Sequence, residues 1–387
     1  MTTAAPPIAP QALPATTPTD HRGSWLPTWP MVATRFSELA RRRGLMITIA
    51  AVVIALPTVF LVIRLIAHAV DPKSYGPAGG SDIFTSLSVV VLYVFGFVVA
   101  ALLGCTAGSS DLTDGMFRHL VITGRSRVAL YLARIPAGLA IIFSAVAVGF
   151  SIVCLVCCFA APSTINYNGA NVPPGLSLTG FQAWAGAHPD DAICNFFFNG
   201  PPPANVPCGG GFSPGPGPVV KGSGPTAPTT LTPAQLQAFA INVAGHYGNY
   251  AGYEKIFLVP SVSLMVGTGL WLLLEAAIGF LVGLGLGSLI GQRTISVILM
   301  VVLEVILTPL FSTARIPYLL NVQRGIVGIA TAHLEPNGLT RVFGSGGGPN
   351  ARSNLIPEMT WVAVVVIVAW VVGWTAIGAW RMSTRDA

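Results

Sequence analysis

The apolar residues of this 387-residue chain are gathered into blocks longer than about 18, the length at which a helix can cross a bilayer. A block of that kind must satisfy every backbone polar group internally, which in lipid means helix. Composition agrees: only 9% of the residues are charged, against roughly a quarter in a soluble domain. The expected fold is therefore all-α and polytopic, with about six transmembrane helices, an N-terminal interfacial helix and a long external loop between helices 3 and 4. The spans are expected over 45–70, 84–105, 128–160, within 257–290, over 295–311 and over 360–380. Segments three and four exceed the ~20 residues a crossing needs, so they tilt, project or kink, with Pro136 and Pro260 as candidate kinks. In domain terms, 1–28 is a disordered cytoplasmic tail rich in Pro, Thr and Ala. Residues 29–160 hold the interfacial helix and helices 1–3. Residues 161–256 form an external loop or small subdomain, and 257–387 carry helices 4–6 with an external amphipathic segment.

The distribution of basic residues orients the chain. Arg22, Arg35, Arg41, Arg42, Arg43, Arg118, Arg125, Arg127, Arg293, Arg381 and Arg385 fall on one side, several of them beside a span. Lys73, Lys221, Lys255, Arg315, Arg324, Arg341 and Arg352 are spread through much longer segments on the other. By the positive-inside rule both termini are cytoplasmic, in a multi-pass protein of the cell membrane. The net charge of +6 belongs to that asymmetry, so nucleic acid is not an expected partner.

Cys105, Cys154, Cys157 and Cys158 lie in apolar helix and read as packing residues, so no metal site is expected. Cys194 and Cys208 sit in the polar external loop and are expected to form a disulfide on the oxidising side. Within the same loop, Thr232 and Gln235 make a capping box, with Pro233 at the first helical position, for a helix over 232–244. A second external segment carries an amphipathic stretch over 319–334.

Two short stretches at the cytoplasmic face are distinctive. Before span one, Val32, Phe36 and Leu39 share one helical face while Arg35, Glu38 and Arg42 share the other, a pattern suited to the membrane interface. Between spans two and three, Asp111 and Asp114 suit a helix N-terminus. Met116, Phe117, Leu120 and Val121 follow as an apolar stripe, and Gly124 as its stop. A short exposed helix with such a stripe has no core of its own and wants a partner.

These residues resemble the permease subunit of ABC-2 type ABC exporters. There an acidic residue, a glycine and an Arg or Thr open a short cytoplasmic helix, and a small-residue, Ser-Arg turn leads into the third span. Asp114, Gly115, Arg118, Leu120, Gly124, Ser126 and Arg127 carry the resemblance here. The entry helix, span count and amphipathic segment before the last span are also similar to the family. The chain departs from it in the long loop after span three.

The resemblance implies a coupling helix, with Asp111, Asp114, Phe117, Arg118 and Leu120 docking onto a separate ABC ATPase subunit that carries ATP and Mg. It also implies a second permease, identical or homologous, completing the pathway through the lipid bilayer.

The chain has no Gly-x4-Gly-Lys-Ser/Thr, and its lysines (Lys73, Lys221 and Lys255) are all external, so it supplies no usual ATP site. No catalytic residue is expected and no cofactor on this chain. Gly211-Phe212-Ser213-Pro214-Gly215 fits the nucleophile-elbow pattern without the strand and helix it requires. Arg64, Arg134, Glu275 and Glu304 are intramembrane charges, each costing ~2.5 kcal/mol or more at mid-bilayer, and the two glutamates are expected to face the interior. Gly279, Gly283, Gly287 and Gly291 form a stripe that admits another helix to backbone contact, from this chain or a second copy. The expected activity is export of an amphipathic or hydrophobic compound. The alternatives are a membrane-embedded lipid or glycan transferase, and a sensor or scaffold that uses the external loop.

Overall fold

The computed structural model describes residues 26–71, 75, 78–113, 126–161, 165–167, 170–173, 175–195, 205–206, 230–245, 250, 253, 259–308, 311, 318–336, 339 and 358–384. Five of its helical runs are long and apolar enough to cross a membrane: 43–70, 81–110, 127–159, 262–290 and 360–384. The chain is an all-α, multi-pass membrane protein. The sixth expected segment is a nine-residue helix, Arg293–Val301, continued by a six-residue π-helical stretch, Val302–Leu307.

Helix α1 (Trp29–Arg41) precedes the first run, which is α2 (Arg43–Ala50), a π-helical stretch (Ala51–Ala55) and α3 (Leu56–Val70). The second run is α4 (Ser81–Ser86), a π-helical stretch (Leu87–Tyr93) and α5 (Val94–Thr113). The third breaks into α6 (Arg127–Leu132) and α7 (Arg134–Phe159). Pro136 has no N–H to bond the carbonyl four residues back, at Leu132, and the helix breaks there as expected. Pro260 does not kink its helix. It precedes the N-cap Ser261, whose hydroxyl accepts from Leu264 N and starts α11 (Val262–Ile290).

Helix α11 is the axis of the bundle and packs most extensively on α5. The glycine stripe explains how. A Cβ on Gly279 would lie 2.9 Å from Phe97 O, on Gly283 2.6 Å from Ala101 O, and on Gly287 2.6 Å from Cys105 O. From the other side, Gly104 and Gly108 of α5 meet the α11 backbone at Phe280 and Leu284. The neighbour is thus a span of the same chain. Gly291 serves another purpose, ending α11 in the left-handed conformation at φ 74°.

Outside the spans, the described residues between 165 and 253 pack into a small folded unit. A hairpin pairs β1 (Ile165–Tyr167) with β2 (Ala170–Val172), followed by α8 (Leu178–Ala187), α9 (Pro189–Asn195) and α10 (Pro233–Gly245). The capping box forms as expected: Gln235 N donates to Thr232 Oγ1, and Thr232 N donates to Gln235 Oε1 at 3.0 Å. Phe181 is the hub of the core, stacked on Trp184 and Tyr253 with centroids 5.9 and 4.5 Å apart. Tyr253 Oη donates to Pro173 O at 2.6 Å and accepts from Leu176 N at 2.8 Å. Burial raises the Tyr253 phenol above its usual pKa, because the phenolate would lose water.

After the Arg293–Val301 helix (α12), the amphipathic 319–334 stretch folds as two short helices, α13 (Leu320–Arg324) and α14 (Val327–Ala332), bent at Gly325. Both are fastened to spans. Trp370 Nε1 of the last helix, α15 (Thr360–Thr384), donates to Gly325 O at 2.8 Å, and Trp271 Nε1 donates to Thr331 O at 3.2 Å. Trp370 lies ten residues, or ~15 Å of helix, beyond the start of α15. The segment therefore lies alongside the last candidate span rather than beyond its end, in the manner of a re-entrant segment, with two of its backbone carbonyls bonded to tryptophans.

Candidate functional site

The most highly constructed polar feature of the bundle is the junction where α5 ends, α7 begins and α1 crosses them. Arg134, the first residue of α7, is 2% exposed. Its Nη1 donates to Ala107 O at 2.9 Å and to Gly108 O at 3.3 Å, so a cation holds carbonyls of α5 where the helix nears its C-terminal end. Ser288 of α11 also donates to Gly108 O, at 3.4 Å. Three spans meet at these two carbonyls.

Helix α1 closes the junction from outside. Arg35 is 7% exposed and pairs with Glu38 at 2.6 Å, while Arg42 approaches Glu38 from the next turn at 3.8 Å. Arg35, Glu38 and Leu39, with Ala107, Ser110 and Arg134, line a small cleft with room for about one water molecule. This corrects the expected face of α1. Arg35 and Leu39 turn inward, and Phe36 is 41% exposed on the outer face. The inward face thus mixes Arg35 with Leu39, while Glu38 and Arg42 are half-buried, because the junction supplies polar as well as apolar groups.

Arg134 and Ser288 thus join α5, α7 and α11 at two backbone carbonyls, with α1 packed on α7 beside them. Arg127, just beyond the 114–125 segment, donates to Ser383 O at the end of α15. Asp111 lies in the last turn of α5. Asp114, Phe117, Arg118 and Leu120 lie outside the described residues, as does the short helix expected there.

Glu275 is 2% exposed, within α11 and one turn beyond Trp271. The expectation that it faces the interior agrees with that burial. Glu304 belongs to the π-helical stretch Val302–Leu307, and its side chain lies outside the described residues. Arg64 is half-buried near the far end of α3, where a long side chain can reach the interface. Cys194 is disulfide-bonded, and Cys208 lies outside the described residues. Cys105, Cys154, Cys157 and Cys158 are free.

Sequence reasoning singled out Arg134 as a charge but not as the clamp on α5. The carbonyls it binds belong to another helix, and no spacing rule connects them. It also passed over Ser288, and over His333 with Glu358, which meet although they are far apart in the chain. No family model, curated protein or solved structure matches the chain.

Proposed function

We propose that the chain is the permease subunit of an ATP-driven exporter, coupled at 111–127 to a separate ATPase and completed by a second permease. The observation that supports this reading best is the clamp around that segment. Arg134 ties the end of α5 to the start of α7, Ser288 adds α11, and α1 seals the side. A force applied at Thr113 or Ser126 would reach α5, α7 and α11 through these contacts. We read the passage between these two spans as the handle on which a partner would act. With the N-terminus cytoplasmic, the handle faces the compartment where ATP is found, and ATP and Mg would be held by the partner. The transported compound would be amphipathic or hydrophobic, entering from the membrane or the cytoplasm.

A second reading, a membrane sensor or scaffold, draws support from the folded unit at 165–253, whose core cluster among the described residues contains no residue of the bundle. Co-purification distinguishes the two, since a stoichiometric ATPase is expected for the permease alone. In proteoliposomes at matched expression, Phe117→Ala should weaken ATPase association by about 1–3 kcal/mol, in the range of an interface hot spot. Arg118→Glu should weaken it further if the docking groove is acidic. Wild-type binding and transport in both variants would remove the coupling assignment.

A further inference from the structure

The re-entrant segment carries an ionisable contact that its tryptophan fastenings do not. Glu358, two residues before α15, has a side chain only 1% exposed, and among the described residues no donor hydrogen-bonds to either carboxylate oxygen. Its nearest cation source among them is His333 Nδ1, at 3.9 Å, on the turn that ends α14. That same nitrogen is 2.9 Å from Ile329 O, so it carries the hydrogen and presents an N–H rather than a lone pair. The contact joins the end of the re-entrant segment to the start of the span on which that segment rests.

Among the described residues, the other charged groups around the pair are few. Arg324 on α13 acts on Glu358 through space, and Glu335 follows two residues after His333. Helix α15 holds no ionisable residue before Arg381. Helix α11 contributes Glu275, one turn beyond the Trp271 that binds Thr331, and Tyr93 stacks on that tryptophan at 4.7 Å.

The geometry points to a proton-operated latch: Glu358 and His333 hold the end of the 320–334 segment tight against α15 in acid and loosen it as the pH rises on that face of the membrane. A carboxylate buried away from hydrogen-bond donors is costly to ionise, and lifting the segment would return it to water. Burial accordingly holds the Glu358 carboxyl above its usual range, with His333 and Arg324 opposing the rise. A group whose pKa is raised in the seated state contributes stability that is complete below its free value. That stability is lost as the pH climbs through the raised value. The tryptophan bonds do not titrate, so the latch modulates a segment that stays attached.

Hydrogen exchange on the whole chain in nanodiscs tests it without ATPase or substrate. Protection factors, which remove the intrinsic pH dependence of exchange, would be compared between about pH 4, below the free carboxyl value, and about pH 8 for amides of 327–333. In the wild type they should fall with rising pH by at most about tenfold per unit, the limit for one proton. In Glu358→Gln, which keeps the shape but cannot ionise, protection should be the same at both ends. A flat wild-type profile overturns the latch by itself, and so does a variant that follows the wild type.

Discussion

The bundle and the 165–253 unit solve the same packing problem by opposite means. In the bundle, α5 and α11 meet through Gly104, Gly108, Gly279, Gly283 and Gly287, backbone against backbone. In the unit outside the spans, helices stand apart around large rings, with Phe181 stacked between Trp184 and Tyr253. Lipid tails are as apolar as a leucine, so bringing leucines together in the membrane gains little. What holds is close van der Waals contact, which small residues permit. In water, the removal of ring surface from solvent drives the fold, and each aromatic brings about 150–250 Å². The residue most costly to change should therefore be the largest in one region and the smallest in the other.

The strongest test of that contrast is Phe181→Ala. Loss of the hub should destabilise the 165–253 unit by about 3–5 kcal/mol, leaving the spans in place. Limited proteolysis should then cut within 165–253 while the bundle keeps its helicity and detergent-solubilised mass. Concerted loss of both would show that the two cores are one cooperative unit.

Next in size is Gly104→Ala, where a single methyl would fall on the Phe280 carbonyl oxygen of α11. Overpacking of this kind costs about 1–3 kcal/mol. A Cβ on Gly96, two turns earlier in α5, meets nothing within 4 Å. Gly96→Ala should therefore be neutral or slightly stabilising by helix propensity. Thermal melts in one detergent that ranked the two alike would remove the backbone-contact account.

The smallest expected effect is Trp370→Phe, which deletes the bond to Gly325 O. Hydrogen bonds between membrane helices average about 0.6 kcal/mol. The change should barely move the melting temperature yet raise exchange at 320–326, and a large global loss would mean the re-entrant segment is part of the core.

Much of this was legible in the chain beforehand, and where it was not, the reason is physical. The spans follow from block length, the break before α7 from Pro136, and the helix 233–245 from its capping box. Each is local, set by residues within a turn or two of one another. The glycine spacing announced a close approach but not the neighbour, because every fourth residue of α5 and of a second copy would satisfy it equally.

The order of residues alone dictates that the chain enters the membrane several times as helix, since a lipid-exposed apolar backbone of that length must bond to itself. It took the assembled fold to show that the stripe closes on α5, that Arg134 grips the end of that helix, and that Glu358 reaches His333. Those pairings are between residues far apart in the chain, and their energy depends on which groups lose water together. Local spacing carries no information about that. It appears when the helices are assembled, and then it decides where charge is buried.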